Sequence, residues 1–209
     1  MSGPAPYAGT LTAWSVECWV TPITLGALDC IWCFGSNPVT VGESPTLYIR
    51  STGQITATMH GAEDLTTAGG LVSSGVSAHI AVTVSATYVM RIYVNGVLVA
   101  TNAMAIRNPG NDRTQLGQRL GNLFGSNVII TSFRVWEDER TITEVQDNMY
   151  RPLFGSTAGG LISEHPMTPG TGMKSWDTTG RGKWMQFVSG GGQPHWTRAY
   201  YGIGPGGPS

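Results

Sequence analysis

The amino-acid sequence predicts an all-β fold, a sandwich or a barrel, with one short helix. The first observation is a series of short segments in which apolar and polar residues alternate, as they do in half-buried strands. The second is the content of 29 glycines and 12 prolines, which favours many turns over long helices. The third is the length of 209 residues, which suits one all-β domain or one domain with an appendage.

A β-hairpin is the clearest single element, in residues 91–100 with the sequence RIYVNGVLVA. Asn95 and Gly96 supply the two positive φ angles that a type I′ turn requires. A two-residue turn would direct one aliphatic set of side chains towards the core, in the facing pairs Val94 with Val97 and Ile92 with Val99. Arg91 and Tyr93 would then point to the opposite face, where a ligand or partner can contact them.

Six further segments have the composition of strands. Residues 28–35 are apolar nearly throughout, as expected of a buried central strand. Residues 46–60 read as a hairpin that turns at Thr52-Gly53. The remaining segments are 14–20, 79–84, 114–118 and 127–136. Short strands at this spacing are typical of a β-sandwich or barrel.

One short helix is predicted at residues 141–150, TITEVQDNMY, over the end of the sandwich. Thr141 and Glu144 have the spacing of a capping box, in which each side chain bonds the other residue's backbone N–H. The apolar residues that follow share one helical face. They are Ile142, Val145 and Met149.

The composition argues against several classes of protein. Charged residues make up 12% of the chain and the formal net charge is −1, which does not match the basic footprint of a nucleic-acid binder. The N-terminal sequence lacks a basic region followed by an apolar one, so we predict no signal peptide. No apolar run is long enough for a membrane-spanning helix. We therefore expect synthesis in a reducing cytoplasm, with neither nucleic acid nor membrane as a partner.

The cysteines do not form a recognisable framework. Three of them, Cys18, Cys30 and Cys33, leave an odd count for disulfide pairing. Cys30 and Cys33 have the spacing of a zinc or redox motif, but a zinc site needs a second pair of ligands. Positions i and i+3 of a regular strand face opposite sides, so these two thiols should not converge. We interpret all three as small buried apolar residues.

Four segments, in order, form a recognisable set: WSVECWVTP at 14–22, AHIAVTVSATYVMRIYVNGVLVA at 78–100, the stretch 114–149, and GLISEHPM at 160–167. They resemble the strand motifs and closing helix of the laminin-G-like branch of the concanavalin A-like lectin/glucanase superfamily. The resemblance implies an all-β, concanavalin A-like jelly-roll, in which two antiparallel sheets form a sandwich with one short helix. One departure is Ser77-Ala78, where the family often has Trp.

The predicted organisation has four parts. Residues 1–13 form an N-terminal arm, and residues 14–155 form the core of the sandwich. The resemblance implies that residues 156–196 add strands that complete the same sandwich. Residues 197–209 form a Gly/Pro-rich tail that should not hold structure alone. We expect the arm and the tail to make contacts outside their own sandwich.

A calcium ligand set is common in the family that the sequence resembles. The loop containing Asn108, Asn111 and Asp112 has oxygen ligands that a hard cation accepts. The alternative is a polar turn capped by its own Asn and Asp side chains, which is the interpretation we favour. Beyond possible calcium at this loop, we expect no cofactor.

No catalytic set is recognisable in the sequence. Glycoside hydrolases on this fold hold paired carboxylates on one strand, and no Glu-x-Asp-x-x-Glu run occurs here. The acids of residues 137–139 lie at a strand-to-helix junction, where a helix dipole favours negative charge. Glu17 is a single carboxylate without a partner, which is poor evidence of catalysis. We therefore predict that the protein is not an enzyme.

Aromatic residues gather towards the C-terminus: Trp176, Trp184, Trp196, Tyr200 and Tyr201. They can stack on the apolar faces of sugar rings, or they can be buried against the sandwich or a neighbouring subunit. With Arg91 and Tyr93, they are the predicted contacts with a glycan or a partner.

Two functional classes are consistent with these observations. The first is a non-catalytic structural or interaction protein built on a lectin-like jelly-roll. Since the sequence shows no signal peptide, linker or catalytic set, we expect a virion surface component such as a phage capsid decoration or tail protein, with other subunits and copies of itself as partners. The alternative is a glycan-binding lectin-like module, with or without calcium. A glycoside hydrolase ranks third.

Overall fold

The computed structural model of the protein contains two antiparallel sheets and one short helix, so the predicted all-β sandwich is confirmed. The residues that the structure describes are 2–4, 11–35, 44–59, 63–105, 113–119, 125–153, 159–167, 174–179 and 184–186. Within these ranges, no helix is long and apolar enough to cross a membrane.

The larger sheet has eight strands. In chain order they are β1 (Ser2–Pro4), β3 (Leu28–Gly35), β4 (Pro45–Arg50), β5 (Ile55–Met59), β6 (Asp64–Thr66), β10 (Arg113–Leu116), β13 (Lys174–Trp176) and β14 (Trp184–Gln186). In space the order is β13-β14-β1-β10-β3-β4-β5-β6, and each neighbouring pair is antiparallel.

The smaller sheet has six strands. In chain order they are β2 (Trp14–Pro22), β7 (Ala78–Val84), β8 (Val89–Val94), β9 (Val97–Ala103), β11 (Val128–Trp136) and β12 (Leu161–His165). In space the order is β12-β11-β2-β7-β8-β9. Both sheets therefore contain some neighbouring strands that are consecutive in sequence and others that are far apart in sequence.

The two sheets enclose one main hydrophobic core. Along β2, β4, β7 and β8, alternate residues point inwards, as the period of a β-strand requires. Aromatic rings of both sheets meet at the centre: the Trp14 and Trp32 rings are 6.4 Å apart in an edge-to-face arrangement, and the Phe34 and Phe133 rings are 6.2 Å apart. This packing fixes which residues of each strand remain on the outer faces.

Helix α1 (Ile142–Asn148) begins with the predicted capping box at Thr141 and Glu144, which is confirmed. The helix lies on the outer face of the six-stranded sheet, because Val145 packs against Ala81 and Tyr93. Those two residues alternate with core residues along β7 and β8, so they face away from the core.

The hairpin between β8 and β9 has the predicted turn and the predicted pair Val94 with Val97 beside it, but its register changes further from the turn. Asn95 and Gly96 have φ angles of 49° and 75°, which confirms the two left-handed turn residues. A register shift between Ile92 and Tyr93 places Ile92 opposite Ala100, so the predicted pairing of Ile92 with Val99 is wrong. Val97 is 60% exposed rather than in the core, because β9 is the last strand of its sheet.

Both ends of the described chain contribute strands. Part of the predicted N-terminal arm, Ser2–Pro4, pairs with β10 and β14 inside the eight-stranded sheet rather than extending away from the sandwich. Strand β12 extends the six-stranded sheet by pairing with β11. The predicted tail, residues 197–209, lies outside the described residues.

Candidate functional site

The outer face of the six-stranded sheet is covered by α1 and the segment that follows it. The indole Nε1 of Trp19 donates to the Met149 carbonyl at 2.7 Å. The Gln146 side chain donates to the Gly96 carbonyl at 2.9 Å, which joins the helix to the hairpin turn. These bonds hold the helix on the sheet and leave this face largely closed to a ligand.

A buried ionic network fixes that cover in place. The Arg134 guanidinium lies 2.9 Å from Glu164 and 3.1 Å from Glu17, and all three side chains are almost fully buried. Arg134 also donates to the carbonyls of Asn148 and Arg151, so it ties the helix C-terminus to the sheet. We interpret the network as structural, because every group in it already has a protein partner.

The carboxylate of Glu17 is held in its charged form. Burial alone would raise its pKa, but the His79 and Arg134 side chains beside it lower that pKa below the ordinary value. His79 Nε2 lies 3.2 Å from Glu17 Oε2. A buried, ionised acid of this kind is neither open to a substrate nor ready to donate a proton, so it does not act as a general acid.

The same network reaches the C-terminal strands through Glu164. The Thr178 hydroxyl donates to the Glu164 carboxylate at 2.7 Å, and the Glu164 backbone N–H donates to Asp177 at 2.9 Å. Asp177 in turn accepts from the Thr179 backbone and hydroxyl, in a local turn. The turn after β13 is therefore fastened to β12, at the side of the sandwich where the two sheets end.

The acids at the strand-to-helix junction are paired with arginines. Asp138 lies 3.3 Å from Arg140, and Arg140 also lies 2.9 Å from Glu144. Glu139 forms an ion pair with Arg91. Burial raises the pKa of Asp138, while the nearby Arg140 opposes that shift. These contacts match a helix-capping role and bring no pair of carboxylates together in a cleft.

Two of the predicted contact residues lie on the helix-covered face. Tyr93 is only 5% exposed, because α1 packs over it, so its ring is not offered to a ligand. Arg91 is half-buried in its ion pair with Glu139. The outer face of the β8–β9 hairpin, where a ligand or partner was expected to make contact, is therefore not an open surface at Tyr93 and Arg91.

Of the other predicted contacts, Trp176 and Trp184 lie in β13 and β14, the last two strands that the structure describes. Trp176 is 60% exposed at the end of β13, and its backbone pairs with that of Trp184 in β14. The remaining predicted residues lie outside the described ranges: Trp196, Tyr200, Tyr201, Asn108, Asn111 and Asp112. Among the described residues, no group of three or more His, Cys, Asp or Glu side chains could hold a metal ion.

The outer face of the eight-stranded sheet differs in character, since no helix of the described chain packs on it. One row of directly paired residues crosses β3, β4, β5 and β6 on this face, and we call it the polar row. It consists of Cys30, Tyr48, Thr56 and Thr66. The first three are buried and form a floor, whereas Thr66 is exposed at the end of the row.

Cys33 is not part of the polar row, but it lies beside Cys30 and extends the buried floor. A register shift between Cys30 and Trp32 adds one residue to β3, so the two cysteines share the outer face and cluster with Tyr48. The prediction that they point to opposite faces is therefore wrong. Burial raises the pKa of the Cys30 thiol well above its ordinary value. The Thr46 hydroxyl donates to Cys33 Sγ at 3.1 Å, and all three cysteines are free thiols.

Two arginines flank the polar row. Arg50 Nε donates to the Thr56 hydroxyl at 3.0 Å, and that hydroxyl lies 3.0 Å from the Thr66 hydroxyl. Burial raises the pKa of Tyr48 to about 12, although the guanidinium of Arg119, which hydrogen-bonds its phenol, opposes the shift. Both arginines are partly exposed, so charged and polar groups stand at the edge of a buried floor.

Trp176 shares this face but lies far from the polar row. In the backbone register, Cys33 pairs with Gln115, Gln115 with Ser2, and Ser2 with Gln186, so these positions share one face of the sheet. The position two residues before Gln186 pairs with Trp176, which therefore belongs to the same face. Five strand spacings separate β13 from β4, which is about 24 Å at the usual interstrand distance. The indole and the polar row are thus two separate places on one wide face.

Sequence alternation alone could have placed Tyr48, Arg50, Thr56 and Thr66 on one face, because they occupy alternate positions of neighbouring strands. The approach of Arg119 to Tyr48 has no local signal, since it depends on how β10 is placed beside β3. This is the arrangement that sequence reasoning missed.

The architecture is that of a lectin-like jelly-roll: two antiparallel sheets, a helix on the outer face of one, and a polar outer face on the other. The chain belongs to the concanavalin A-like lectin/glucanases superfamily, because the Laminin_G_3 family profile matches residues 4–146. This finding confirms the family resemblance that the sequence motifs indicate. No curated protein sequence matches the chain.

Solved structures with the same fold include carbohydrate-binding proteins. A Bacteroides ovatus protein, described as carbohydrate-binding, is 18% identical with a TM-score of 0.69, over 88% of this chain and 57% of its own. A carbohydrate-binding module (CBM40) of the Ruminococcus gnavus IT-sialidase, bound to α2,3-sialyllactose, is 17% identical with a TM-score of 0.56. That match covers 69% of this chain and 90% of the module.

A pentraxin of Limulus polyphemus gives a further match, at 15% identity and a TM-score of 0.50, over 69% of this chain and 79% of its own. At these identities the likeness concerns the fold. This chain spans little more than half of the Bacteroides ovatus protein, so the activity of that whole protein is not carried over.

Proposed function

We propose that this protein is a non-catalytic, lectin-like module that binds a glycan on the outer face of its eight-stranded sheet. One observation carries the proposal: this sheet presents partly exposed guanidinium and hydroxyl groups around a buried floor, whereas the other sheet is closed by α1. The family and the carbohydrate-binding names of two structural neighbours support the same class of ligand.

The chemistry of the face suits a sugar. Sugar hydroxyls both donate and accept hydrogen bonds, and the Thr66 hydroxyl with the Arg50 guanidinium offers both an acceptor and donors. The floor beneath them is held rigid by the Arg50–Thr56–Thr66 bonds, so the polar groups are already oriented before a ligand arrives. The exposed Trp176 indole, elsewhere on the face, is suited to stacking on a pyranose ring of an extended glycan.

The glycan-binding hypothesis now ranks above the virion-surface hypothesis. The structural neighbours described above include proteins named for carbohydrate binding, and none of these likenesses supports a role as a capsid decoration or tail protein. A hydrolase remains less favoured, because the carboxylates Glu17 and Glu164 are committed to Arg134 in a buried network. Assembly with other subunits stays a prediction.

A glycan array followed by titration calorimetry tests the proposal. The purified chain should bind at least one class of glycan, and Thr66→Val should weaken that binding because it removes the exposed hydroxyl of the polar row. Tyr150→Ala is the matched control, since that exposed ring lies on the helix-covered face beside Trp19. The proposal fails if no glycan binds, or if Tyr150→Ala weakens binding and Thr66→Val does not.

Repeating the titration with EDTA and then with added calcium tests the predicted cation site. Calcium dependence that Asp112→Asn abolishes would favour a ligand role for the loop containing Asn108, Asn111 and Asp112. Binding that is unchanged by EDTA would favour the capped polar turn.

A further inference from the structure

Arg50 is held in one orientation at the edge of the polar row. It is the last residue of β4, at the start of the turn to β5, and its backbone N–H donates to the Gln54 carbonyl. Its Nε donates to the Thr56 hydroxyl at 3.0 Å, and Thr56 is buried. A guanidinium that is fixed through Nε cannot rotate freely about the end of its side chain, so its outer edge faces a constant direction.

The terminal nitrogens of Arg50 have no partner among the residues that the structure describes. The Nε bond to Thr56 is the side-chain contact of this guanidinium, and no acidic side chain of the described chain forms an ion pair with it. Among the other described arginines, Arg91, Arg134 and Arg140 form ion pairs with carboxylates. Arg50 thus differs in offering the edge that binds a planar anion.

Among the residues that the structure describes on the neighbouring strands of this face, the acid Asp64 has its backbone on the other side of the polar row from that of Arg50. Asp64 pairs with Thr58, whereas Thr66 pairs with Thr56, and Arg50 lies beyond the Tyr48–Thr56 pair in the other direction. Four residues along the strands separate the backbone level of Arg50 from that of Asp64, which is about 13 Å at the usual rise, and the Arg50 guanidinium reaches from its own level to Thr56. Arg119, which hydrogen-bonds Tyr48, adds a second positive charge beside the row. Among the described side chains beside Tyr48 and Thr56, the charged groups are therefore these two arginines.

We infer that the glycan bound at this face carries an anionic group, a carboxylate or a sulfate, and that Arg50 binds it through its two terminal nitrogens. This inference rests on the proposed function and names the class of glycan. A guanidinium matches a carboxylate or sulfate in a paired, planar geometry that an ammonium cannot reproduce. The exposed Thr66 hydroxyl, linked to Arg50 through Thr56, supplies a further hydrogen bond to the same sugar.

The test compares acidic glycans with their neutral counterparts. The full chain is applied to an array of neutral, carboxylated and sulfated glycans, and the best carboxylated ligand is then compared with its carboxyl-reduced form by calorimetry. We expect at least a tenfold weaker affinity for the reduced form. Binding should also weaken as salt is raised, because added ions screen an exposed charge pair.

Variants of Arg50 identify the residue that carries the preference. Arg50→Gln should weaken the acidic ligand at least tenfold, and Arg50→Lys should recover only part of the loss, because it keeps the charge without the paired nitrogens. Arg151→Gln is the matched control, since it removes an exposed arginine at the helix-covered face. Thermal melts of each variant check that the fold is retained.

The outcomes separate this inference from the proposed function. A preference for acidic glycans that Arg50→Gln abolishes and Arg151→Gln does not supports the inference, and the array shows whether carboxylate or sulfate is preferred. Binding to neutral glycans with equal affinity, or acidic binding that survives Arg50→Gln, overturns the inference but leaves the proposed function standing. A chain that binds no glycan overturns both.

Discussion

Arg134 and Glu17 form an ion pair with 3.1 Å between Nη1 and Oε1, and their side chains are only 2% and 3% exposed. The pair joins β11 to β2, and the same guanidinium binds Glu164 of β12. Three strands of the six-stranded sheet and the end of α1 therefore depend on one cation. Removal of a buried cation with this many partners should therefore destabilise the fold far more than removal of an exposed one.

Arg134→Met should lower the free energy of unfolding by about 3–5 kcal/mol, because Glu17 and Glu164 would remain buried without a cation. Arg91→Met is the matched control. It removes an arginine from a half-exposed pair with Glu139, where the expected loss is about 0–1 kcal/mol. Urea unfolding of the two variants and the wild type measures both losses. Equal losses at the two sites would contradict the structural role assigned to Arg134.

Gly96 is a residue of the hairpin turn and lies against the helix. Its φ is +75°, and a Cβ placed there would lie 2.8 Å from Gln146 Cγ. Gly96→Ala should therefore cost the backbone strain of a left-handed alanine, about 1–3 kcal/mol, and should also displace Gln146 from its bond to the Gly96 carbonyl. The midpoint of thermal unfolding should fall accordingly.

Gly75→Ala separates the two contributions to that loss. Gly75 has the same φ of +75°, but a Cβ there would meet nothing within 4 Å. The difference between the two variants measures the helix contact alone. If Gly96→Ala is no more destabilising than Gly75→Ala, the hairpin turn does not help to hold α1 on the sheet.

Local signals explain why part of the fold could be predicted from the sequence. Asn95-Gly96 and the Thr141–Glu144 spacing each encode a structure within a few residues, and both appear as predicted. Strand alternation also places Tyr93 on an outer face, but it does not say what covers that face. The helix that buries Tyr93 comes from a distant part of the chain.

The candidate site was harder to predict, because it depends on register and topology. The extra residue of β3 between Cys30 and Trp32 brings Cys30 and Cys33 to one face, and nothing in the sequence marks that shift. Arg119 reaches Tyr48 only because β10 pairs with β3, next to β4. Periodicity can identify the side of a strand, whereas the neighbours of a side chain follow from the order of the strands.

The buried cysteines should be unreactive in the folded protein. Burial raises the pKa values of the Cys18 and Cys30 thiols, and the thiolate is the form that reacts with alkylating reagents. Iodoacetamide at pH 8 should modify the native protein at least about a hundredfold more slowly than the protein in guanidinium chloride. Mass spectrometry of the denatured control should show three modified cysteines. Rapid modification of Cys30 in the native state would show that the floor of the polar row is open to solvent.

His165 should make the fold sensitive to mild acid. Burial lowers its pKa from 6.5 to about 4, although Asp177, the Ser175 backbone and Glu164 oppose the shift. The unfolded chain therefore binds a proton at a higher pH than the folded one, so stability is full above pH 6.5 and falls as the pH decreases towards 4. The loss should approach about 3 kcal/mol. Urea unfolding between pH 4 and 8 measures it.

His165→Gln should remove this part of the pH dependence while leaving the further loss below pH 4.5, where Glu17 is protonated on unfolding. An unchanged slope between pH 4 and 6.5 in His165→Gln would assign the effect to other groups.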